Sequence, residues 1–210
     1  SGIAHELKNP IFIIGSWAQM LKQSGGLTEE QVKAVDFIRD QATRSSTIVE
    51  NLLKLVRRKV EHVKRLDINE IIEGIRRNLS YLVVNKDVRI ETELRATARI
   101  EGNAAEIEQV VVNLVSNAVD SIADKGTVTV RSREDEEWSI VEVADDGKGM
   151  NEEVKRKIFD PFFTTKEPGK GTGLGMSIIY KIIQNHRGKI TVASEEDKGT
   201  TISVHFPRHG

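Results

Sequence analysis

The 210-residue chain has no cysteine, which excludes disulfides, a thiol nucleophile and a thiolate-bound metal. Aromatic residues make up only 5% and prolines number four. Its 31 Lys+Arg and 32 Asp+Glu leave a net charge of −1, so no one-signed field draws it to nucleic acid or an anionic membrane surface. No stretch approaches the ~20 consecutive apolar residues needed to span a bilayer. The opening residues Ser1 to His5 contain no initiator Met and no signal-like segment. The apolar period is already running there, so the chain is read as a cytoplasmic fragment of a longer protein, which is left open to a membrane anchor elsewhere.

What is present describes a globular protein. Hydrophobic residues are 38% and glycines number 16, and the length suits one large domain or two small ones. Ala4, Leu7, Ile11, Ile14, Ala18 and Leu21 step by threes and fours, the seam of a helical bundle. Ser24-Gly25-Gly26 stops this helix, and Thr28 with Gln31 forms a capping box for a second one. Val35, Ile38, Ala42, Ser45, Val49, Leu52 and Val56 continue the seam toward Val63. Two such helices make an antiparallel hairpin. Ile48, Leu53 and Leu55 lie off the seam, so two hairpins are expected to pair as a homodimeric four-helix bundle. The alternative is a hairpin that packs on the rest of its own chain.

Beyond Lys64 the pattern changes. Asp67 is placed to cap a helix from Ile68 to about Val84, and Val88 to Leu94 alternates as a strand. Asn103 with Glu106 opens an apolar helix through Ile122. Thr127–Ser132 and Trp138–Ala144 read as strands, and Leu174 to His186 as a helix closed by Arg187-Gly188. Lys189–Ser194 and Thr200–Phe206 read as a last hairpin, while Asp145 to Lys170 is turn-rich. The expected fold is α+β: a helical hairpin at 1–65, then an α/β sandwich at 66–210 with a hinge at Lys64 to Leu66.

Four clusters carry chemistry. In His5-Glu6-Leu7-Lys8-Asn9-Pro10, His5 and Asn9 share a helix flank. Glu6 is placed to take a proton from one imidazole nitrogen and leave the other nucleophilic. Pro10 removes a helical hydrogen bond and should bend the helix there. A lone surface histidine is usually inert, so this cluster needs the others. Asn113 and Asn117, spaced i and i+4 in an apolar stretch, set two amide oxygens on one helix face, a partial Mg²⁺ site. Asp145-Asp146-Gly147-Lys148-Gly149 ends a strand. Its carboxylate can accept from an exocyclic amine, and Gly147 and Gly149 leave room for a flat base. Gly169-Lys170-Gly171-Thr172-Gly173-Leu174-Gly175 runs into a helix, where backbone amides can wrap phosphates. Its spacing is not that of a Walker loop. Phe159, Phe162 and Phe163 crowd one loop and are expected to fold over something rather than stay wet.

In this order the clusters resemble the sensor histidine kinases of two-component signalling over nearly the whole chain. His5 to Pro10 is similar to the H box, Asn113 to Asn117 to the N box and Asp145 to Gly149 to the G1 box. Phe159 to Phe163 is similar to the F box and Gly169 to Gly175 to the G2 box. The resemblance implies a dimerisation and phosphotransfer hairpin joined to a Bergerat-type ATP-binding domain. It implies that His5 takes the γ-phosphoryl of ATP, with Glu6 as base or orienting carboxylate, and passes it to an aspartate on a response regulator receiver domain. Asn113 and Asn117 would hold Mg²⁺ and phosphates, and Asp145 the adenine amine. Residues 150 to 170 would form a lid anchored by Phe159, with Gly171, Gly173 and Gly175 along the phosphates.

Hydrolytic relatives such as gyrase carry a Glu where this chain has Gln109, which cannot activate water. Many family members have Lys or Arg where this chain has Asp120, so Lys166 and Lys170 are the candidate phosphate contacts. Asn9, in a Glu6-x-x-Asn9 arrangement, is compatible with phosphatase activity toward the regulator. The competing functions are a silent ATP-binding dimeric scaffold and a gyrase-like conformational ATPase.

Overall fold

The computed structural model describes residues 2–56, 63–79, 83, 86–167 and 171–209, and their side chains apart from those of residues 2–7, 54–56, 77, 78 and 209. The chain divides into two compact units, Ser1–Arg57 and Arg58–Gly210.

The first unit is the helical hairpin. Helix α1 spans Gly2–Gln23, running through Pro10, and α2 spans Glu29–Val56. Left-handed Gly25 and Gly26, at φ 73° and 77°, turn the chain between them, a conformation that glycine adopts without steric penalty. The Thr28 capping box forms in both directions. Thr28 N donates to Gln31 Oε1 at 2.8 Å, and Gln31 N donates to Thr28 Oγ1 at 3.3 Å. Lys22 pairs with Asp36 near the turn and Lys8 with Glu50 farther from it, so the helices run antiparallel. Ala18, Val35 and Ala42 are buried between them. Ile14, Trp17, Leu21, Ile38 and Leu52 stay exposed, too many large apolar groups for a hairpin to leave unpartnered.

The second unit is a seven-stranded mixed sheet with helices on one face. Its elements are β1 (Lys64–Asp67), α3 (Ile68–Leu79), β2 (Asp87–Leu94), β3 (Arg99–Gly102), α4 (Ala104–Ser121), β4 (Lys125–Glu134), β5 (Trp138–Asp145), α5 (Glu152–Lys157), α6 (Gly175–Asn185), β6 (Lys189–Glu195) and β7 (Gly199–His209). The strand order is β1-β3-β7-β5-β4-β2, and β6 also pairs with β7. Among the described residues, β2 and β4 pair in parallel and the other pairs are antiparallel. Strand β7 is long enough to pair with β5 on one side and with β6 and then β3 on the other. The core lies between sheet and helices. Ile68, Ile72, Ile75 and Leu79 of α3 and the Ile107, Val110, Val111, Leu114 stripe of α4 are buried with Val128, Val130, Val141, Val204 and Phe206 of the sheet.

Several expectations are corrected. Lys64 to Leu66, read as a hinge, are strand residues, because Lys64–Asp67 pairs with Gly102 to Arg99. The expected boundary after residue 65 therefore falls inside β1. Val63 lies outside the helix expected to reach it; α3 is described over Ile68–Leu79, and Val84, where it was expected to end, lies outside the described residues. The turn-rich stretch contains α5, capped by Asn151 Oδ1 accepting from Val154 N at 3.0 Å. At the end of α6 the left-handed residue is Arg187, φ 55°, and not Gly188. Gly188 serves close approach instead, since a Cβ there would lie 2.4 Å from the His205 carbonyl oxygen.

Candidate functional site

The C-terminal end of α4, the end of β5 and the 147–166 segment enclose a cleft of about 890 Å³, open solvent at its mouth included. Leu114, Val143, Ile158, Met176 and Ile202 supply apolar wall, suited to a flat heterocycle. Asn117, Asp120, Ser121, Asp145, Lys148 and Lys166 supply the polar groups.

Asp145 is the last residue of β5. Its Oδ1 accepts from Ser121 Oγ at 2.7 Å and from Gly147 N at 3.0 Å. Burial pushes its carboxyl above the ordinary aspartate range, against the hydrogen bonds from Ser121, Gly147 and Thr200 that pull it down. A half-buried carboxylate held at a strand end, beside an apolar wall, is an acceptor for a polar edge of a bound ring.

The glycines of this loop also serve close packing within the protein. A Cβ at Gly147 would lie 2.0 Å from Ser121 Oγ, and one at Gly149, φ 63°, would lie 1.9 Å from the Glu195 carbonyl oxygen. Their missing side chains make room for the protein's own helix end and the β6–β7 turn. Of the two, Gly149 also lines the cleft.

Asn117 and Asn113 lie one turn apart on α4. Asn117 Nδ2 donates to Met176 Sδ at 3.2 Å, a bond that does not use its amide oxygen. Asn117 lines the cleft, whereas Asn113 is half-buried and outside that lining. Amide oxygens of this kind fit a hard divalent cation that completes its shell with water and phosphate oxygens. Lys166 lines the cleft and donates to Asp120 Oδ2 at 2.6 Å, and Lys86 stands 3.7 Å from Asp120 Oδ1. The acid at position 120 is therefore neutralised by two lysines from other segments.

Phe159 is half-buried and packs on Tyr180 of α6 with ring centroids 5.6 Å apart. Phe163 lines the cleft. Phe162 contradicts the expectation of a covered aromatic cluster: it is 59% exposed, with φ 68°. Its backbone is what matters, because Phe162 N donates to the Gly173 carbonyl at 2.9 Å. Gly173 has φ 66°, and a Cβ there would lie 2.4 Å from the Phe162 carbonyl carbon. The loop therefore locks onto the segment Gly171-Thr172-Gly173-Leu174-Gly175 through a contact only glycine permits. Leu174 is buried as the N-cap residue of α6, and Gly175 begins that helix. None of Gly171 to Gly175 lines the cleft itself. Lys170 lies outside the described residues.

On the hairpin, Asn9 is exposed on α1. The backbone of His5 and Glu6 belongs to the same helix, while their side chains lie outside those described. Sequence reasoning missed Ser121, Lys148, Met176 and Thr200 as cleft residues. Ser121 had a legible signal, since Asn113, Asn117 and Ser121 repeat at i, i+4 and i+8 on one helix face.

Two family models account for most of the chain. The model described as His Kinase A (phospho-acceptor) domain matches residues 1–61, and that described as Histidine kinase-, DNA gyrase B-, and HSP90-like ATPase matches residues 102–210. The chain belongs to the histidine kinase-, DNA gyrase B- and HSP90-like ATPase family, in the two-domain arrangement of the sensor histidine kinases of two-component systems. It is 35% identical to Sporulation kinase A of Bacillus subtilis (strain 168), over 99% of this chain and 34% of the relative. ThkA, solved in complex with response regulator protein TrrA, is 31% identical with a TM-score of 0.67, over 99% of this chain and 60% of that one. ShkA, solved full-length in complex with AMPPNP, shares the fold at a TM-score of 0.85 and 21% identity, over 99% of this chain and 45% of that one. The chain spans less than half the length of the curated relatives most similar to it here, 34% of Sporulation kinase A and 48% of Sporulation kinase C of the same organism. Among the described residues, no helix is long and apolar enough to cross a membrane.

Proposed function

We propose that this chain is the catalytic core of an ATP-dependent protein-histidine kinase, which phosphorylates its own His5 and passes the phosphoryl group to an aspartate on a response regulator receiver domain. The observation that carries the reading is the cleft: a buried-side carboxylate, an asparagine amide and a lid lysine arranged around an apolar slot, in a chain whose N-terminal segment matches a phospho-acceptor domain. Asp145 takes the amino edge of the adenine, and the apolar wall takes its faces. Asn117, with Asn113 one turn before it, would hold Mg²⁺, which when bound would neutralise charge on the phosphate oxygens. Lys166 leaves Asp120 for the phosphates when nucleotide enters. An imidazole nitrogen of His5 forms the P–N bond as the bond to ADP breaks, and Glu6 receives the proton from the other nitrogen. In the second step an aspartate oxygen of the regulator takes the phosphoryl group and the imidazole is regenerated. Catalysis rests on positioning and charge stabilisation.

The exposed Ile14, Trp17, Leu21, Ile38 and Leu52 support a homodimer through the hairpin, each such side chain contributing about 2 kcal/mol when buried. Exposed Asn9, one turn beyond His5, supports a second role in positioning water for dephosphorylation of the regulator. The test is labelling with γ-³²P-ATP. The chain is expected to take up acid-labile label, and His5→Gln to bind nucleotide yet take up none. Label persisting in His5→Gln, or steady hydrolysis of ATP with no label, would overturn the reading in favour of another phosphosite or a conformational ATPase.

A further inference from the structure

We propose that Ser121 is a positioning residue for base selection, fixing which lone pair of Asp145 faces the cleft and thereby favouring a 6-aminopurine over a 6-oxopurine nucleotide. The inference rests on the reading of Asp145 as the base contact and extends it to a residue outside the motifs.

The geometry is closed on three sides. Ser121 is the last residue of α4, and its Oγ lies 2.7 Å from Asp145 Oδ1 and 2.8 Å from the Ala118 carbonyl. The hydroxyl has one proton, and the charged acceptor forms the stronger bond. Lys148 N donates to the Ser121 carbonyl at 3.1 Å, tying the serine backbone to the loop after β5. Gly147 donates to the same carboxylate oxygen at 3.0 Å. Because a Cβ at Gly147 would lie 2.0 Å from Ser121 Oγ, the loop can close over the hydroxyl only with glycine there. Loop, helix end and carboxylate form one unit with Ser121 at its centre.

The arithmetic of acceptors gives the consequence. An ionised carboxylate offers about four lone-pair sites. Ser121 and Gly147 both donate to Asp145 Oδ1, which leaves Oδ2 as the acceptor for the cleft. A 6-amino group donates to that site; a 6-oxo group sets acceptor against acceptor. Removing the hydroxyl withdraws the foremost of the hydrogen bonds that oppose burial. The carboxyl then takes up a proton more readily, and a protonated carboxyl can donate to a 6-oxo group.

The experiment compares equilibrium binding of ATP and ITP to the chain and to its Ser121→Ala and Asp145→Ala variants, across pH. ITP carries oxygen where ATP carries the amine, so its binding doubles as a control for folding. Ser121→Ala is expected to weaken ATP about tenfold while ITP changes less than about twofold. The acid limb of ATP binding is expected to move to higher pH. Equal weakening of both nucleotides, or an unchanged ATP/ITP ratio and acid limb in Ser121→Ala while Asp145→Ala abolishes the preference, would overturn the role of Ser121. An unchanged ratio in Asp145→Ala would instead overturn the reading of Asp145 on which it rests.

Discussion

Two glycines of one motif should respond to alanine in opposite ways. Gly173 has φ 66°, and a Cβ on it would lie 2.4 Å from the Phe162 carbonyl carbon and 2.5 Å from its oxygen. Gly175, two residues later, has nothing within 4 Å of the same position and sits in the first turn of α6. A left-handed alanine costs roughly 1–2 kcal/mol. The overlap with Phe162 cannot be relieved by a flexible side chain, since both contacted atoms are backbone. The loop must shift, and the Phe162 N–H to Gly173 carbonyl bond at 2.9 Å goes with it, worth about 0.5–1.5 kcal/mol net. Together these give about 1.5–3.5 kcal/mol against Gly173→Ala. For a folding unit of this size that is a fall of about 5–10 °C in unfolding midpoint. Gly175→Ala should be neutral or raise the midpoint by a degree or two, because alanine favours helix and constrains the unfolded chain. Thermal unfolding of the two variants without nucleotide, followed by circular dichroism, is the assay. An equal fall in both would refute the reasoning that backbone geometry, not glycine content, sets the requirement.

Other outcomes follow from the same geometry. Burial raises the Asp145 carboxyl above its unfolded range, so the fold binds that proton more tightly than the unfolded chain does. The resulting stability is present at low pH and is lost as pH rises through the unfolded and then the folded pKa. Asp145→Asn should therefore be more stable than the parent at pH 7 while binding ATP worse, with the advantage vanishing in acid. Chemical denaturation at several pH values would show it, and a destabilised variant at pH 7 would contradict it. His186 is buried; its Nε2 accepts from Asn103 N at 3.1 Å and its Nδ1 donates to the Ile182 carbonyl at 2.8 Å. His186→Ala should lower stability by about 2–4 kcal/mol, through lost packing and an orphaned N–H at the start of α4. A change below about 0.5 kcal/mol in urea unfolding would show that this link between α4 and α6 is dispensable. Trp17→Glu with Leu21→Glu should convert the proposed hairpin dimer to monomer by sedimentation, and an unchanged mass would move the interface elsewhere.

Much of this was legible because it depends on local periodicity. The Thr28 to Gln31 box and the Asn103 cap formed where the spacing put them. Strands β4 and β5 lie over the alternating stretches at Thr127–Ser132 and Trp138–Ala144, within a residue or a few at each end. What was not legible depends on distant partners. Strand β1 exists because β3 pairs with it, and its four residues carry too short a pattern to announce that. The close approaches at Gly147, Gly149 and Gly188 were not legible for the same reason, since they come from Ser121, Glu195 and His205. Asp120 looked like a missing phosphate contact; Lys166, forty-six residues away, shows it to be half of an ion pair. Phe162 was expected to be covered along with its aromatic neighbours, yet it is exposed and contributes a backbone turn.

The measurement that bears most directly on the account is a single-turnover experiment with chain in excess over γ-³²P-ATP and Mg²⁺, quenched in base and followed by peptide mapping. One phosphoryl group is expected on the chain for each ADP formed, on the peptide carrying His5. Release of the label as free phosphate from the first turnover, with the His5 peptide unmodified, would contradict it.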